Sequence, residues 1–406
     1  MTETYIIIGA AQAGGWGAKT LRDQGFAGRV ILIGEEPYPP HERPPLSKDV
    51  LLGLKPPEST YIWPPDKLIA QNIEIRTGAR VDKIDRPQKR IELAGGEALA
   101  YDKLLIATGS RVRRLNTDGA DLPGVHYLRS IDDTLAIKRD LGPQTRLLVV
   151  GAGWIGLETA AAARKHGAHV TVVELANQVC NRALPKGLAD YLQERHTAQG
   201  VEFRLNTTVR SFEGTERVER AVLSDGTDLP VSIVVIGIGV VPNVELAQAA
   251  GLEVDNGIVT DASGRTADPA IFAAGDVTNH PNEFMGRRVR LESWANAQNQ
   301  AIAAAKAMLG KAEPYNEIPW FWSDQYNLNL QLLGIPHKSD ATVVRGDRAK
   351  DQFLEFFLFD GKIEAVAAIN SPRDLRFAKR LMQINKPVDR QRLADSAVTL
   401  QDLAKG

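Results

Sequence analysis

The chain has 406 residues, 43% of them apolar, which is too long for one simple core and suggests two or three domains. Its 49 basic and 50 acidic side chains nearly cancel, so no global field favours nucleic acid or an anionic membrane, and any charged docking surface has to be local. The single cysteine, Cys180, excludes an internal disulfide. The start, Met1-Thr2-Glu3-Thr4, has no basic segment and leads into an apolar run too short for a signal or a span, so a cytoplasmic location is expected.

In chain order, the first predicted strand is Tyr5–Ile8, followed by a glycine-rich turn, a helix to about Gln24, and a second strand, Val30–Ile33, ending at Glu35. The plan recurs further on. Leu147–Val150 leads into a glycine-rich turn, a helix from Ile155 to Lys165, and a strand, Val170–Val173, ending at Glu174. Each is the opening of a dinucleotide-binding βαβ unit, and the crossover helix makes the strands parallel. Asp225-Gly226 and Asp360-Gly361 sit between β-rich runs as hairpin turns do. From Tyr315 onward aromatic residues concentrate, which suits a third unit with its own core, an antiparallel sheet followed by a helix near Asp374–Met382. The histidines are scattered; His166 and His169 read as a helix end and a strand start, and no metal site is expected.

The second fingerprint is Gly151-Ala152-Gly153-Trp154-Ile155-Gly156. Gly151 permits the tight turn, Gly153 lets backbone approach a pyrophosphate, and Gly156 lets helix pack on strand. The free N–H groups at the helix start then face the phosphates, and Glu174, 23 residues after Gly151, stands where an acid accepts from an adenosine ribose. The first fingerprint, Gly9-Ala10-Ala11-Gln12-Ala13-Gly14, has Ala11 where the second glycine belongs, and its methyl is expected to crowd the closest approach to the phosphates. Glu35, 26 residues after Gly9, is expected to supply the ribose acid. Two such sites in one chain imply transfer between two cofactors: a nicotinamide that supplies hydride, and a flavin able to take two electrons and release them singly.

Arg43-Pro44-Pro45-Leu46-Ser47-Lys48, Leu105-Ile106-Ala107-Thr108-Gly109, Ile271-Phe272-Ala273-Ala274-Gly275-Asp276, the run Leu291–Gln300 and Pro319-Trp320-Phe321-Trp322-Ser323-Asp324-Gln325 resemble the NADH-dependent ferredoxin reductases of bacterial oxygenase systems, with Leu291–Gln300 most like the reductases of aromatic-ring dioxygenases. The resemblance runs from Tyr5 to about Leu403. It implies an α/β fold of glutathione-reductase type with two Rossmann-like domains. These are an FAD-binding domain from residues 1–109 and 233–314, an NAD-binding domain from 110–232, and a C-terminal α+β domain from 315–406.

The implied FAD contacts are Gly9, Ala13, Gly14, Glu35, Arg43, Lys48, Val81, Ala107, Thr108, Gly109, Arg129, Asp276, Ser293, Trp294 and Trp322. On the NAD side they are Gly151, Gly153, Trp154, Ile155, Gly156, Glu158, Glu174, Arg182, Gly239, Glu292 and Trp320. Trp320 and Trp322 border the flavin or are simply core; both readings stand. Lys48 and Glu158 are implied to meet where the nicotinamide stacks, the rival reading being a solvated Glu158 on an exposed helix turn.

Disulfide reductases of this construction carry a cysteine pair soon after the first nucleotide motif, and here no cysteine precedes Cys180. Electrons are therefore expected to leave directly from the flavin, and the resemblance implies that they pass to a 2Fe–2S ferredoxin that serves an aromatic-ring dioxygenase or, next, a cytochrome P450. The alternatives are reduction of a small acceptor or a rubredoxin, and an NADH-sensing interaction protein of the apoptosis-inducing type. Arg111, Arg113 and Arg114, with Arg287, Arg288 and Arg290, are the candidate clusters for docking an acidic ferredoxin.

Overall fold

The computed structural model describes residues 2–405. The chain opens with β1 (Thr4–Ile8), α1 (Gln12–Asp23) and β2 (Arg29–Ile33), and continues through β3 (Ile73–Arg76) and β4 (Lys103–Ile106). Next come β5 (Val125–Tyr127), β6 (Arg146–Val150), α2 (Trp154–Lys165), β7 (His169–Val173), α3 (Lys186–Ala198), β8 (Val201–Arg204) and β9 (Ile233–Ile236). β10 (Ile271–Ala273) and α4 (Trp294–Met308) follow. The chain closes with β11 (Trp320–Gln325), β12 (Leu328–Gly334), β13 (Ala341–Asp347), β14 (Gln352–Phe359), β15 (Lys362–Ile369) and α5 (Pro372–Ile384). Its described residues divide into two compact units: residues 2–44, 57–111 and 240–318, and residues 45–56, 112–239 and 319–405.

The first unit is built on a parallel sheet in the order β10–β4–β1–β2–β3. Its strands are near-continuous apolar runs because both faces are covered; Ile6, Ile7, Val30, Ile31, Leu104 and Leu105 are fully buried. The helices that cover one face pack largely through small residues. Ala13, Ala18 and Leu21 of α1 share a core with Ala297, Ala301, Ala304 and Ala305 of α4. A Cβ at Gly17 would come within 2.7 Å of Leu105 Cδ2, so glycine lets α1 lie flat on the sheet.

The second unit holds a parallel sheet in the order β8–β7–β6–β9–β5. It also holds an antiparallel sheet in the order β11–β12–β15–β14–β13. Asp225-Gly226 and Asp360-Gly361 lie in the turns of antiparallel pairs, with Asp360 and Gly361 both at positive φ, as tight turns require. α5 follows the antiparallel sheet, as the sequence pattern led one to expect.

Three expectations are corrected. Ile233–Ile236, assigned to the returning part of the FAD domain, is β9, pairing in register with β6 inside the second sheet; a fully apolar strand is stable only between covered faces. The C-terminal sheet does not have a core to itself: Leu328, Leu330, Phe353 and Phe357 share one with Leu147, Val149, Leu157 and Leu188. The segment 45–56, assigned with the rest of 1–109, packs in the second unit, where Leu51 is buried in that same core and its carbonyl oxygen lies 3.0 Å from His166 Nε2. Among the described residues no helix is long and apolar enough to cross a membrane.

Candidate functional site

In the first unit the chemistry gathers at the C-terminal ends of β1, β4 and β10. Gly9 has φ +110, and a Cβ there would collide with the Ala107 carbonyl; a Cβ at Gly14 would collide with that of Gly9. The turn is therefore closed by backbone packed on backbone, with α1 starting directly above it. Gly275 (φ +86) sits over Ala13, with 3.1 Å available for a Cβ, and its N–H donates to Gln300 Oε1 at 2.8 Å. Asp276 accepts from Ser110 Oγ at 2.8 Å. The Ala107-Thr108-Gly109 end of β4 is clamped by Asn243: Thr108 Oγ1 donates to the Asn243 carbonyl and Asn243 Nδ2 donates to that of Thr108, each at 2.8 Å. Sequence reasoning missed Asn243, which belongs to no motif, and gave no role to Gln300 at the end of the Leu291–Gln300 run; both act through the backbone.

Ala11 is the N-cap of α1 with φ −100, an extended conformation open to any residue. The matching Gly153 caps α2 with φ −77, and a Cβ there would meet nothing nearer than Gly237 O at 4.0 Å. The fold itself therefore accommodates Ala11, and only a ligand brought against the turn would feel its methyl.

The acids at the two strand ends differ. Ile8 pairs with Ile33 and Val150 with Val173, so the register sets Gly34, not Glu35, at the place held by Glu174. A Cβ at position 34 would lie 2.5 Å from that of Ala10, which keeps glycine there, and Glu35 is 74% exposed, 3.9 Å from Arg80. The neighbouring Glu36 holds Arg43 at 2.5 Å and faces His41 at 3.5 Å. Burial opposes its charge, but bonding and attraction from His41 and Arg43 prevail and bring the carboxyl down to about 2. Val81 is buried at the start of its strand. Ser293 caps α4 by accepting from Asn296 N, Trp294 is its first residue, and Glu292 is paired with Arg290 at 2.5 Å.

In the second unit Gly151 has φ +101 and a Cβ there would lie 2.5 Å from Gly237 O, while one at Gly156 would collide with the Gly151 carbonyl. Glu174 Oε2 accepts from Ala152 N at 2.7 Å, which sets a carboxylate against the glycine turn. Leu175, next to Glu174, is 73% exposed, and Ile155, within the fingerprint, is 41% exposed. Arg182 overhangs Gly239 (φ +102), 3.0 Å from where a Cβ would stand, so these two candidates do meet. Arg129 precedes the capping box of Ser130 and Asp133, its N–H donating to Asp133 Oδ2 at 3.0 Å. Trp154 packs on Phe321, and Trp320 stacks on Trp322 with ring centres 5.1 Å apart, both half-buried.

Glu158 is the charge centre of this unit. The reading as a solvated residue is excluded, because it is only 3% exposed. Its Oε2 accepts from Lys48 Nζ at 2.7 Å and from Ser47 Oγ, and its Oε1 accepts from Ser323 Oγ at 2.5 Å. A carboxylate this deep is tolerable only with its lone pairs filled and a cation beside it. Lys48 is the less buried partner, 13% exposed, and reaches Glu158 because segment 45–56 crosses to this unit. Cys180 is also buried; desolvation first, then the Glu158 and Glu174 charges, push its thiol far above the ordinary range, so it is no thiolate. Among the described residues no cluster of potential ligands could hold a metal.

The arginine clusters are partly spent on local structure. Arg111 pairs with Glu245 at 2.7 Å, Arg290 with Glu292, Arg288 donates to the carbonyls of Thr260 and Asn279, and Arg114 lies over the Tyr127 ring at 4.3 Å. Arg113 and Arg287 are exposed.

The residues of the first unit suit FAD. Gln12, in the first turn of α1, is buried with neither amide atom bonded, and the close backbone packing at Gly9 and Gly14 leaves the helix start open to phosphates. Two parallel sheets, each with a glycine turn under a helix start, and no cysteine pair define a two-dinucleotide oxidoreductase using FAD and NAD(H). The chain belongs to the pyridine nucleotide-disulphide oxidoreductase family, which it matches over residues 3–301, and residues 320–404 match the reductase C-terminal family.

Among curated relatives it is 44% identical, over 98% of both chains, to the ferredoxin–NAD(+) reductase component of the anthranilate 1,2-dioxygenase system of Burkholderia cepacia. It is 38% identical to putidaredoxin reductase of Pseudomonas putida, over 99% of this chain and 96% of that one. The crystal structure of the covalent putidaredoxin reductase–putidaredoxin complex is similar at TM-score 0.96 and 37% identity, covering 99% of this chain and 98% of that chain.

Proposed function

We propose that this chain is an NADH:ferredoxin oxidoreductase that passes electrons from NADH through FAD to a 2Fe–2S ferredoxin serving an aromatic-ring dioxygenase. The observation that carries the reading is the end-to-end likeness to ferredoxin–NAD(+) reductases, joined to a chain whose one thiol is buried and protonated. FAD, when bound, supplies acceptance of a hydride and release of its two electrons one at a time.

This chain's residues supply binding and orientation. The α1 start, Gln12 and the Gly9 turn receive the FAD pyrophosphate, and Asp276 and Ala107-Thr108-Gly109 receive its ribityl side. Gly151, Gly153 and Glu174 hold the NADH pyrophosphate and ribose, with Arg182 at the phosphates. Lys48, carried on Glu158, orients the nicotinamide. Transfer of hydride needs no general acid or base; it needs stacking at contact distance with water kept out. A cytoplasmic location goes with the reading, since the NADH donor is there.

The test is NADH-driven reduction of a panel of 2Fe–2S ferredoxins, with a quinone, oxygen and a rubredoxin as controls. At least one ferredoxin should be reduced with kcat/KM well above every control; equal turnover of the small acceptors refutes the proposal.

A further inference from the structure

Behind Glu158 a chain of hydrogen bonds runs into the second unit. Ser323 Oγ on β11 donates to Glu158 Oε1 at 2.5 Å, and Gln325 Nε2, two residues along the same strand, donates to Ser323 Oγ at 2.9 Å. Gln325 Oε1 lies 2.6 Å from Nε2 of His196 on α3, whose Nδ1 lies 3.2 Å from the Tyr326 hydroxyl. Glu158, Ser323, Gln325 and His196 are all buried. Ser323 and Gln325 share a face because a strand repeats every two residues.

One set of proton positions satisfies every member. Desolvation lowers His196 to about 4, so near neutral pH the ring carries a single N–H. Gln325 Nε2 is committed to Ser323, so its Oε1 accepts and the His196 proton sits on Nε2; Nδ1 then accepts from Tyr326. Every donor in the chain thus points toward the Glu158 carboxylate, and the charge at the end polarises the whole row. The amide of Gln325 does not trade protons as a hydroxyl or imidazole does. The row orients; it does not relay.

We propose that Ser323, backed by Gln325 and His196, is a positioning residue for hydride transfer, holding Glu158 Oε1 so that Oε2 and Lys48 keep one orientation toward the nicotinamide. This rests on the reading above that Lys48 and Glu158 serve the nicotinamide. Ser323 lies in the C-terminal family segment, outside both nucleotide fingerprints, so that segment contributes to the reaction centre through this contact.

The experiment is rapid mixing of FAD-loaded enzyme with NADH, following flavin bleaching for wild type, Ser323→Ala, Ser323→Thr, Gln325→Leu and Glu158→Gln. Ser323→Ala should lower the limiting rate by about tenfold or more while the NADH dissociation constant moves by less than about twofold, the pattern of misorientation rather than lost binding. Gln325→Leu, which touches neither Glu158 nor Lys48, should shift the rate in the same direction by less, and Ser323→Thr should restore most of it. If Ser323→Ala fails to retain FAD, Gln325→Leu decides alone. A slowed Glu158→Gln beside unchanged limiting rates in Ser323→Ala and Gln325→Leu overturns the positioning role and leaves the pair standing. An unchanged Glu158→Gln overturns the pair and the proposal with it.

Discussion

Glu174 is bonded to the glycine turn it serves: its Oε2 accepts from Ala152 N at 2.7 Å, while Oε1 accepts from Ala176 N at 2.8 Å. Both oxygens are thereby fixed, and in the proposed NADH site a 2′-phosphate would meet that fixed negative charge with no cation in Leu175-Ala176-Asn177-Gln178. NADH should therefore have the higher kcat/KM. Glu174→Ala should narrow the ratio by about tenfold, equivalent to about 1.4 kcal/mol of relieved repulsion. Equal kcat/KM for NADH and NADPH in wild type would overturn the assignment.

Ala11 strains nothing in the fold, so its effect is confined to the ligand. Ala11→Gly should tighten FAD by on the order of 1 kcal/mol, one methyl removed from the closest backbone approach. FAD dissociation measured by dilution and fluorescence recovery checks this; no tightening means that the turn already accepts alanine beside the phosphates.

Removing Lys48 alone leaves Glu158 buried without its cation. Lys48→Met should cost about 3 kcal/mol of stability, somewhat relieved by the two serine donors, and the double variant Lys48→Met/Glu158→Gln should recover most of it. Urea midpoints of the four proteins in the cycle give the coupling. Purely additive losses would mean that the two charges do not depend on each other.

Buried histidines make acid the weak side. His196 and His280 are both lowered to about 4 from 6.5, chiefly by desolvation, so the unfolded chain binds more protons than the folded one between those values. The stability these two groups contribute is fully present above pH 6.5 and is lost as pH falls toward 4, each histidine accounting for up to about 1.4 kcal/mol per pH unit within that window. Thermal midpoints from pH 7.5 to 4.5 should fall accordingly, and His280→Asn should fall less steeply than wild type.

For ferredoxin docking, Arg111, Arg288 and Arg290 are already engaged within the protein, which leaves the exposed Arg113 and Arg287 as the better candidates of their clusters. Ferredoxin reduction should weaken with added salt, because screening shortens electrostatic reach to about 8 Å near 0.15 M. NADH reduction of the enzyme's own flavin should respond much less. Arg113→Glu and Arg287→Glu should each raise ferredoxin KM; if neither does and the two reactions share one salt response, ferredoxin docks elsewhere.

The two glycine fingerprints, the strands that precede them and the helices that follow were legible in the chain itself, since tight turns, apolar runs and helical periodicity are local properties. So was the want of a cysteine pair. What the chain alone left open depends on register and on segments that meet from afar. A one-residue offset puts Gly34 where Glu174 has its counterpart, and no local spacing reveals which residue a parallel pairing sets opposite which. Ile233–Ile236 looked like the start of a returning domain and proved to be a strand beside β6, a choice made by which sheet covers both its faces. Ser47, Lys48, Glu158, Ser323, Gln325 and His196 come from four distant stretches, and only packing around one buried carboxylate brings them together, because a charge taken out of water has to find its donors wherever the fold can supply them.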